Sequence, residues 1–275
     1  ELSARLVAAG LDRGAAVLAL GGEGVTLALR QAGLVPVPPG DARSSGAEVS
    51  AVLQGFGRGL TVADYEVAAR HLATGCVWVA TNDDATLPLE WGSGPGNGAY
   101  VDLLASAVGR RPDVVGKPHA PLYELSLRRL EVASDRALAV GDRLATDIAG
   151  AVRAGLPSAW VLTGVEAPSA LLLWADAPAP TYVIGELREL LQPYVAPRRD
   201  SDAWVCGRAR ATFERGELQV SGTGTAIEVV RASLAAVAAV VARDDSVDRQ
   251  QLVAAGRRID SVFASETERD SPSPD

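Results

Sequence analysis

The sequence has no methionine, and residue 1 is a glutamate. A translated reading frame begins with methionine, so the expectation is a processed product or part of a longer frame. Cysteine is scarce: Cys76 and Cys206 are the only two, far apart along the chain. A disulfide framework or a zinc site would need more. Cys76 opens Cys76-Val77-Trp78-Val79-Ala80, which reads as a buried strand, the setting of an inert core thiol. A reducing cytoplasm fits that usage. No stretch approaches about eighteen apolar residues free of charge and glycine, so no membrane span is read. No signal peptide is visible at the start. Positive charge is in deficit, with a net charge of −8 and a pI near 4.9. This balance argues against a nucleic-acid polyanion as the main partner. It leaves room for a small phosphorylated metabolite, because a bound divalent cation inverts the local sign.

What is present is a packed, globular composition: 48% hydrophobic and 22% charged over 275 residues, room for about two domains. Residues 2–10 have helical apolar spacing ending at Gly10. Short apolar strands follow in "AAVLALGG", "LVPVPPG", "AEVSAVLQGFG" and "CVWVATN". Helices alternate with them in "GVTLALRQAG", in "TVADYEVAARHLATG" with Thr61 and Gly75 as caps, and in "GAYVDLLASAVG". The alternation continues through "DVVG", "APLYELSLRRL", "ALAVGD", "LATDIAGAVRAG", "SAWVLTG", "YVIG" and "ELRELLQPY". Strands alternating with helices of about a dozen residues predict parallel sheets joined by right-handed crossovers, an α/β fold. The polar run Pro197–Asp202 breaks the pattern and marks a boundary. Beyond it, "AWVCGRARATFERGELQVSG" reads as two strands around a turn at Glu214-Arg215-Gly216. An apolar helix around Ala226–Ala242 and a second helix complete the chain. The charged tail from Glu266 carries prolines and is expected to be disordered.

Two stretches carry chemistry. Asp142 follows the strand "ALAV", and Asp147 falls near the start of the next helix. Ligands of open parallel sheets sit beyond the carboxyl ends of the strands, so both carboxylates can face one crevice. Two carboxylates, water and a phosphate oxygen suit the oxygen-only, octahedral preference of Mg²⁺. The structural alternative is that Asp142, Thr146 or Asp147 caps a helix N-terminus. One βα unit earlier, Lys117 follows another buried strand and precedes Pro118 and a helix. A lysine there can lie beside a phosphate as a point charge; the alternative is a solvated surface lysine.

Gly116-Lys117-Pro118, and Gly141-Asp142-Arg143-Leu144 with Thr146-Asp147-Ile148, resemble the third and fourth motifs of the haloacid dehalogenase superfamily. The likeness is nearest to its para-nitrophenyl-phosphatase-like branch. "LQGFGRGLT", "WVATNDDATLP" and "GPGNGA" are similar to that branch's large cap, and the resemblance runs to about Val195. It implies a Rossmann-like core with a mobile α/β cap, and hydrolysis of small phosphomonoesters through an aspartyl-phosphate with Mg²⁺. It implies that Lys117 holds phosphate and nucleophile, and that Asp142 and Asp147 serve the metal. Asn82, Asp84 and the Pro95–Ala99 loop with Asn97 fall where relatives shape substrate access. Ala145 occupies a position that is often polar in relatives.

The family's first motif, Asp-x-Asp-Gly with the nucleophile and acid/base, has no counterpart here, and neither does the Ser or Thr of its second. Asp83-Asp84 and Asp244-Asp245 do not fit it. The resemblance therefore divides the chain into a cap (1–112), the second half of a core (113–197) and an α+β extension (198–275). It implies an enzyme family whose nucleophile is missing from these residues; a non-catalytic binding protein is the other class. A homodimer through the cap is implied by the resemblance. Gly94–Ala99 also matches a loose dinucleotide fingerprint, and Leu20–Gly24 is either a phosphate cradle or a tight βα turn. His71 and His119 are isolated. The apolar helix of the extension packs on its own hairpin or forms a partner surface.

Overall fold

In a computed structural model the fold is α/β, described for residues 11–164, 166–173, 179–243 and 247–267. The expected helix over 2–10 and the tail beyond residue 267 lie outside the described residues. The chain divides into two compact units, Glu1–Ala133 and Ser134–Asp275.

The first unit is built on a five-stranded parallel sheet of order β2-β1-β3-β4-β7. Its strands are β1 (Ala16–Leu20), β2 (Val35–Val37), β3 (Ala51–Gln54), β4 (Val77–Ala80) and β7 (Asp113–Val114). All four residues of β3 are buried, which is why the central strands read as unbroken apolar runs: helices cover both faces. Gln54 is the polar exception; its side-chain oxygen accepts from Trp78 Nε1 at 3.1 Å. Helices α1 (Glu23–Gln31), α2 (Pro39–Ser45), α3 (Val62–Ala73) and α4 (Asn97–Val108) make the crossovers. At the start of α3 the Asp64 carboxylate accepts the Thr61 N–H at 2.8 Å, and Gly75, with φ 85°, ends the turn one residue beyond Thr74. α5 (Pro121–Leu130) follows β7.

Two local features depart from the apolar pattern of the sequence. "VPPG" does not merely end a strand: Pro39 starts α2, its fixed φ suiting the first helical position. "TLPLEWGS", a poor strand by composition, is an antiparallel hairpin of β5 (Thr86–Leu89) and β6 (Gly92–Pro95). Glycine and proline are tolerated because both strands are sheet edges.

The second unit holds a three-stranded parallel sheet, order β10-β9-β8, and a four-stranded antiparallel sheet. The parallel strands are β8 (Ala139–Gly141), β9 (Ser158–Val161) and β10 (Tyr182–Ile184). β8 stands at the edge, with Leu138 and Val140 each 40% exposed. Between β8 and α6 (Ala149–Arg153) lies one wide π-turn, Leu144–Ile148. The segment expected as a helix after β10 is a 3₁₀ turn over Leu187–Leu191. The antiparallel sheet comprises β11 (Arg198–Asp200), β12 (Ala203–Cys206), β13 (Ala209–Glu214) and β14 (Glu217–Gly222). Sequence reading expected two strands over residues 203–222; the first of them is two, β12 and β13, separated by a tight turn in which Gly207 has φ 53°. β11 escaped it because an exposed edge strand made of Arg198, Arg199 and Asp200 has no apolar alternation. α8 (Ala226–Val241) and α9 (Arg249–Thr267) cover this sheet, and the short α7 (Ala170–Leu173) packs on both helices. One core joins both sheets of the unit: Leu144, Ile148 and Trp160 pack in the same cluster as Phe213, Val230 and Ile259.

Arg231 of α8 is the buried charge of this core. Its Nε donates to the Val183 carbonyl at 2.7 Å, its guanidinium meets Glu189 at 2.6 Å, and it lies 4.3 Å from the Tyr194 ring centroid. Arg231→Ala strands Glu189 and an acceptor. A loss of about 3–5 kcal/mol in urea unfolding is expected. In the first unit Tyr65 stacks on Tyr100 at 5.4 Å, and burial, then Tyr100 and Asp64, push its hydroxyl up to about 12. The folded value exceeds the unfolded one. This stabilisation is therefore complete below the free tyrosine range and lost as pH rises from about 10 toward 12. Burial also pushes up the Tyr194 hydroxyl, so alkaline absorbance titration should show two late tyrosines, one of them missing in Tyr65→Phe.

Candidate active site

The first unit gathers Asn82, Asp83, Asp84, Asn97, Lys117 and His119 at the carboxyl ends of β4 and β7. The loop after β4 is clamped by backbone contacts that admit no side chain. A Cβ on Gly116 would lie 1.9 Å from the Thr81 carbonyl oxygen, and one on Gly98 would lie 2.1 Å from that of Asp83. Gly98 N–H donates to the Asp84 carbonyl at 2.9 Å. Asn97 is 2% exposed, and its Nδ2 holds the Asn82 carbonyl at 2.7 Å. The Gly94–Ala99 glycines thus let a neighbouring loop close over the start of α4, the place a pyrophosphate would take in a dinucleotide site. After β7 the chain turns, His119 N–H donating to the Gly116 carbonyl at 2.8 Å. His119 Nε2 lies 3.7 Å from Asp83 Oδ2, and Lys117 sits half-buried in that turn.

Leu20–Gly24 resolves in favour of the tight turn. Gly22 N–H donates to the Phe56 carbonyl at 3.0 Å, and a Cβ on Gly57 would meet the Gly21 carbonyl carbon at 2.8 Å. The crevice between β1 and β3 is filled by backbone. His71 lies on α3, where burial lowers its basicity.

In the second unit Asp142 and Asp147 come together over the carboxyl ends of adjacent strands. Asp142 follows β8 and leans on Gly164, beyond β9, where a Cβ would lie 2.1 Å from Asp142 Oδ2. Asp147 folds back over Gly141, where a Cβ would lie 2.2 Å from the Asp147 Cβ. The wide π-turn, in which Ile148 N–H bonds the Arg143 carbonyl at 3.1 Å, makes this return possible. Asp147 Oδ2 accepts the Arg143 N–H at 3.2 Å, so the capping role is present in this residue. Trp160 Nε1 donates to the Asp142 carbonyl at 3.1 Å. Thr146 Oγ1 is buried without a hydrogen-bond partner.

Among the described residues, no group of three or more His, Cys, Asp or Glu side chains could by itself hold a metal. That suits magnesium and not zinc. Mg²⁺ is bound through one or two carboxylates and keeps several waters and substrate oxygens. Asp142, half-exposed, and Asp147, 9% exposed with an oriented carboxylate, fit such a donor set.

Sequence reasoning missed Glu166, whose Oε2 accepts the Leu144 N–H at 2.8 Å. Burial pushes its carboxyl above the usual range; the Leu144 N–H and Arg143 oppose this, and Asp142 and Asp147 reinforce it. It missed Gly141 and Gly164 as contacts of the carboxylates. A glycine at each strand end was the available signal. A second signal concerns Lys117: of 26 basic residues, 25 are arginine and Lys117 is the single lysine.

A family model described as HAD-hydrolase-like matches residues 114–190. The D-glycerol 3-phosphate phosphatase of Mycobacterium tuberculosis is 37% identical over 86% of this chain and 67% of its own length. A stretch of that length extends past the family model into the antiparallel sheet and α8. Chronophin of Bos taurus is 36% identical over 66% of this chain and 64% of its own. The crystal structure of a glycerol phosphate phosphatase from Mycobacterium tuberculosis in complex with magnesium matches with a TM-score of 0.73 at 34% identity. It covers 93% of this chain and 76% of that one. The chain spans about two thirds of the length of the curated relatives it matches.

Gly164→Ala and Gly141→Ala should each displace one carboxylate and lower Mg²⁺ affinity by about tenfold or more in calorimetric titration, with the circular dichroism spectrum kept.

Proposed function

Because the chain belongs to the haloacid dehalogenase-like hydrolases, we propose that it carries the metal half and the substrate-facing cap of a Mg²⁺-dependent phosphatase acting on small phosphomonoesters. The observation that carries this reading is the pair Asp142 and Asp147, each pressed on a glycine at neighbouring strand ends. Bound Mg²⁺ would neutralise phosphate charge there. Asp142 would hold the ion directly; Asp147 would hold it through water or orient the loop. Lys117 would pair with the phosphoryl oxygens as a point charge. Asn82 and Asp84 would meet the substrate's leaving part, with Asn97 acting at the same loop by fixing Asn82.

The nucleophile of this chemistry belongs to an Asp-x-Asp-Gly segment that the 275 residues do not contain. In this reading that segment adds a strand along the open edge of β8, covering Leu138 and Val140, and its aspartate forms the aspartyl-phosphate. The functional division is then cap 1–112, core half 113–197 and extension 198–275. D-Glycerol 3-phosphate, named for the relative at 37% identity, is the first substrate to try. Contact between caps of two copies and a cytoplasmic setting belong to the same proposal. The second is supported by two free thiols. Among the described residues no helix is long and apolar enough to cross a membrane.

Two measurements test the reading. The 275-residue chain alone should turn over para-nitrophenyl phosphate barely above background. Extended by a strand ending in Asp-x-Asp-Gly, it should gain Mg²⁺-dependent hydrolysis that Asp142→Asn abolishes. Strong hydrolysis by the unextended chain, lost in Asp142→Asn, would overturn this division of labour. Reductive ¹³C-methylation labels Lys117 and the terminal amine only. Inorganic phosphate with Mg²⁺ should shift the Lys117 resonance and leave the other in place.

A further inference from the structure

The loop that carries the two carboxylates leaves the carboxyl end of β8 and enters the wide turn Leu144–Ile148. The opening N–H groups of such a turn have no partner within it. Arg143 N–H is served by Asp147 itself, at 3.2 Å. Leu144 N–H cannot be served by water, because Leu144 is 1% exposed and packs in the core with Ile148 and Trp160. The acceptor it finds is Glu166 Oε2, at 2.8 Å. Glu166 lies two positions beyond Gly164, the residue against which Asp142 leans. One short stretch beyond β9 therefore touches the loop twice, at the Asp142 side chain and at the Leu144 amide. On the loop's inner side Trp160 Nε1 holds the Asp142 carbonyl at 3.1 Å.

We propose that Glu166 is the positioning residue of the metal loop: by accepting the Leu144 N–H it fixes residues 142–147 so that Asp142 and Asp147 face one ion. This rests on the reading of those two aspartates as magnesium ligands. Glu166 acts through Leu144 and not as a third ligand, since the oxygen nearest the loop is committed to that amide. A neutral side chain with an oxygen at the same reach can do the same work. A buried N–H left without an acceptor forces the loop to reseat.

The test uses the full 275-residue chain, its Glu166→Gln and Glu166→Ala variants, and MgCl₂ as the probe. Calorimetry reads affinity, and amide hydrogen exchange reads Leu144. Glu166→Gln should keep Leu144 protected and bind Mg²⁺ within about threefold of the parent. Glu166→Ala should weaken binding roughly 10–100-fold, the usual range for residues behind a metal's ligands, and speed Leu144 exchange about tenfold or more. Parent-like binding and protection in Glu166→Ala would overturn the positioning role alone. Equal weakening in both variants with Leu144 still protected would also overturn it, leaving only a charge effect. Failure of the parent chain to bind Mg²⁺ at all would overturn the magnesium reading and this role with it.

Discussion

Close backbone approach at the carboxyl ends of parallel strands is the constraint on which both units depend. The loops that leave β1, β3, β4, β7, β8 and β9 are each pressed against a neighbour with no room for a Cβ. Gly57 lies on Gly21, Gly98 on Asp83, Gly116 on Thr81, Gly141 on Asp147 and Gly164 on Asp142. In the first unit this packing fills the crevice at the switch of strand order with main chain. In the second it does the opposite. Glycines at the ends of β8 and β9 make space for two carboxylates, which then stand side by side where a ligand of an open sheet binds. The same device closes one set of strand ends and furnishes the other.

Much of this was legible in the sequence for a physical reason. Buried parallel strands must be continuous apolar runs, and their crossovers must be helices, so the α/β alternation through Ile184 could be read directly. Asp142 and Asp147 were legible because a carboxylate just past an apolar strand is costly unless something uses it. The turn after β7 was legible from Gly116-Lys117-Pro118. What stayed hidden was structure whose stabilisation is not apolar burial. β11 is a charged edge strand. The hairpin Thr86–Pro95 is rich in glycine and proline. Leu144–Ile148 is a wide turn with no local signature, and Glu166 reaches the loop from 22 residues away. Long-range hydrogen bonds of this kind leave no periodicity behind.

Charge usage adds a second layer. Arginine does the structural work: Arg231 is buried beneath Tyr194, and Arg110 holds the carbonyls of Leu72 and Cys76 at 3.1 and 2.6 Å. Its planar fork suits fixed, multidentate contacts. The one lysine stands apart from that role, in the turn after β7.

The common core of the second unit has a consequence for how this protein can change. Trp160, which touches the Asp142 carbonyl, is sealed by residues from β13, α8 and α9. The C-terminal sheet and helices are therefore not a detachable module appended to a finished parallel sheet. Any lineage that shortened or swapped them would have to rebuild the packing around Trp160 at the same time. Substitutions in α8, remote from the carboxylates in sequence, are drawn into the selective history of the loop that carries Asp142 and Asp147.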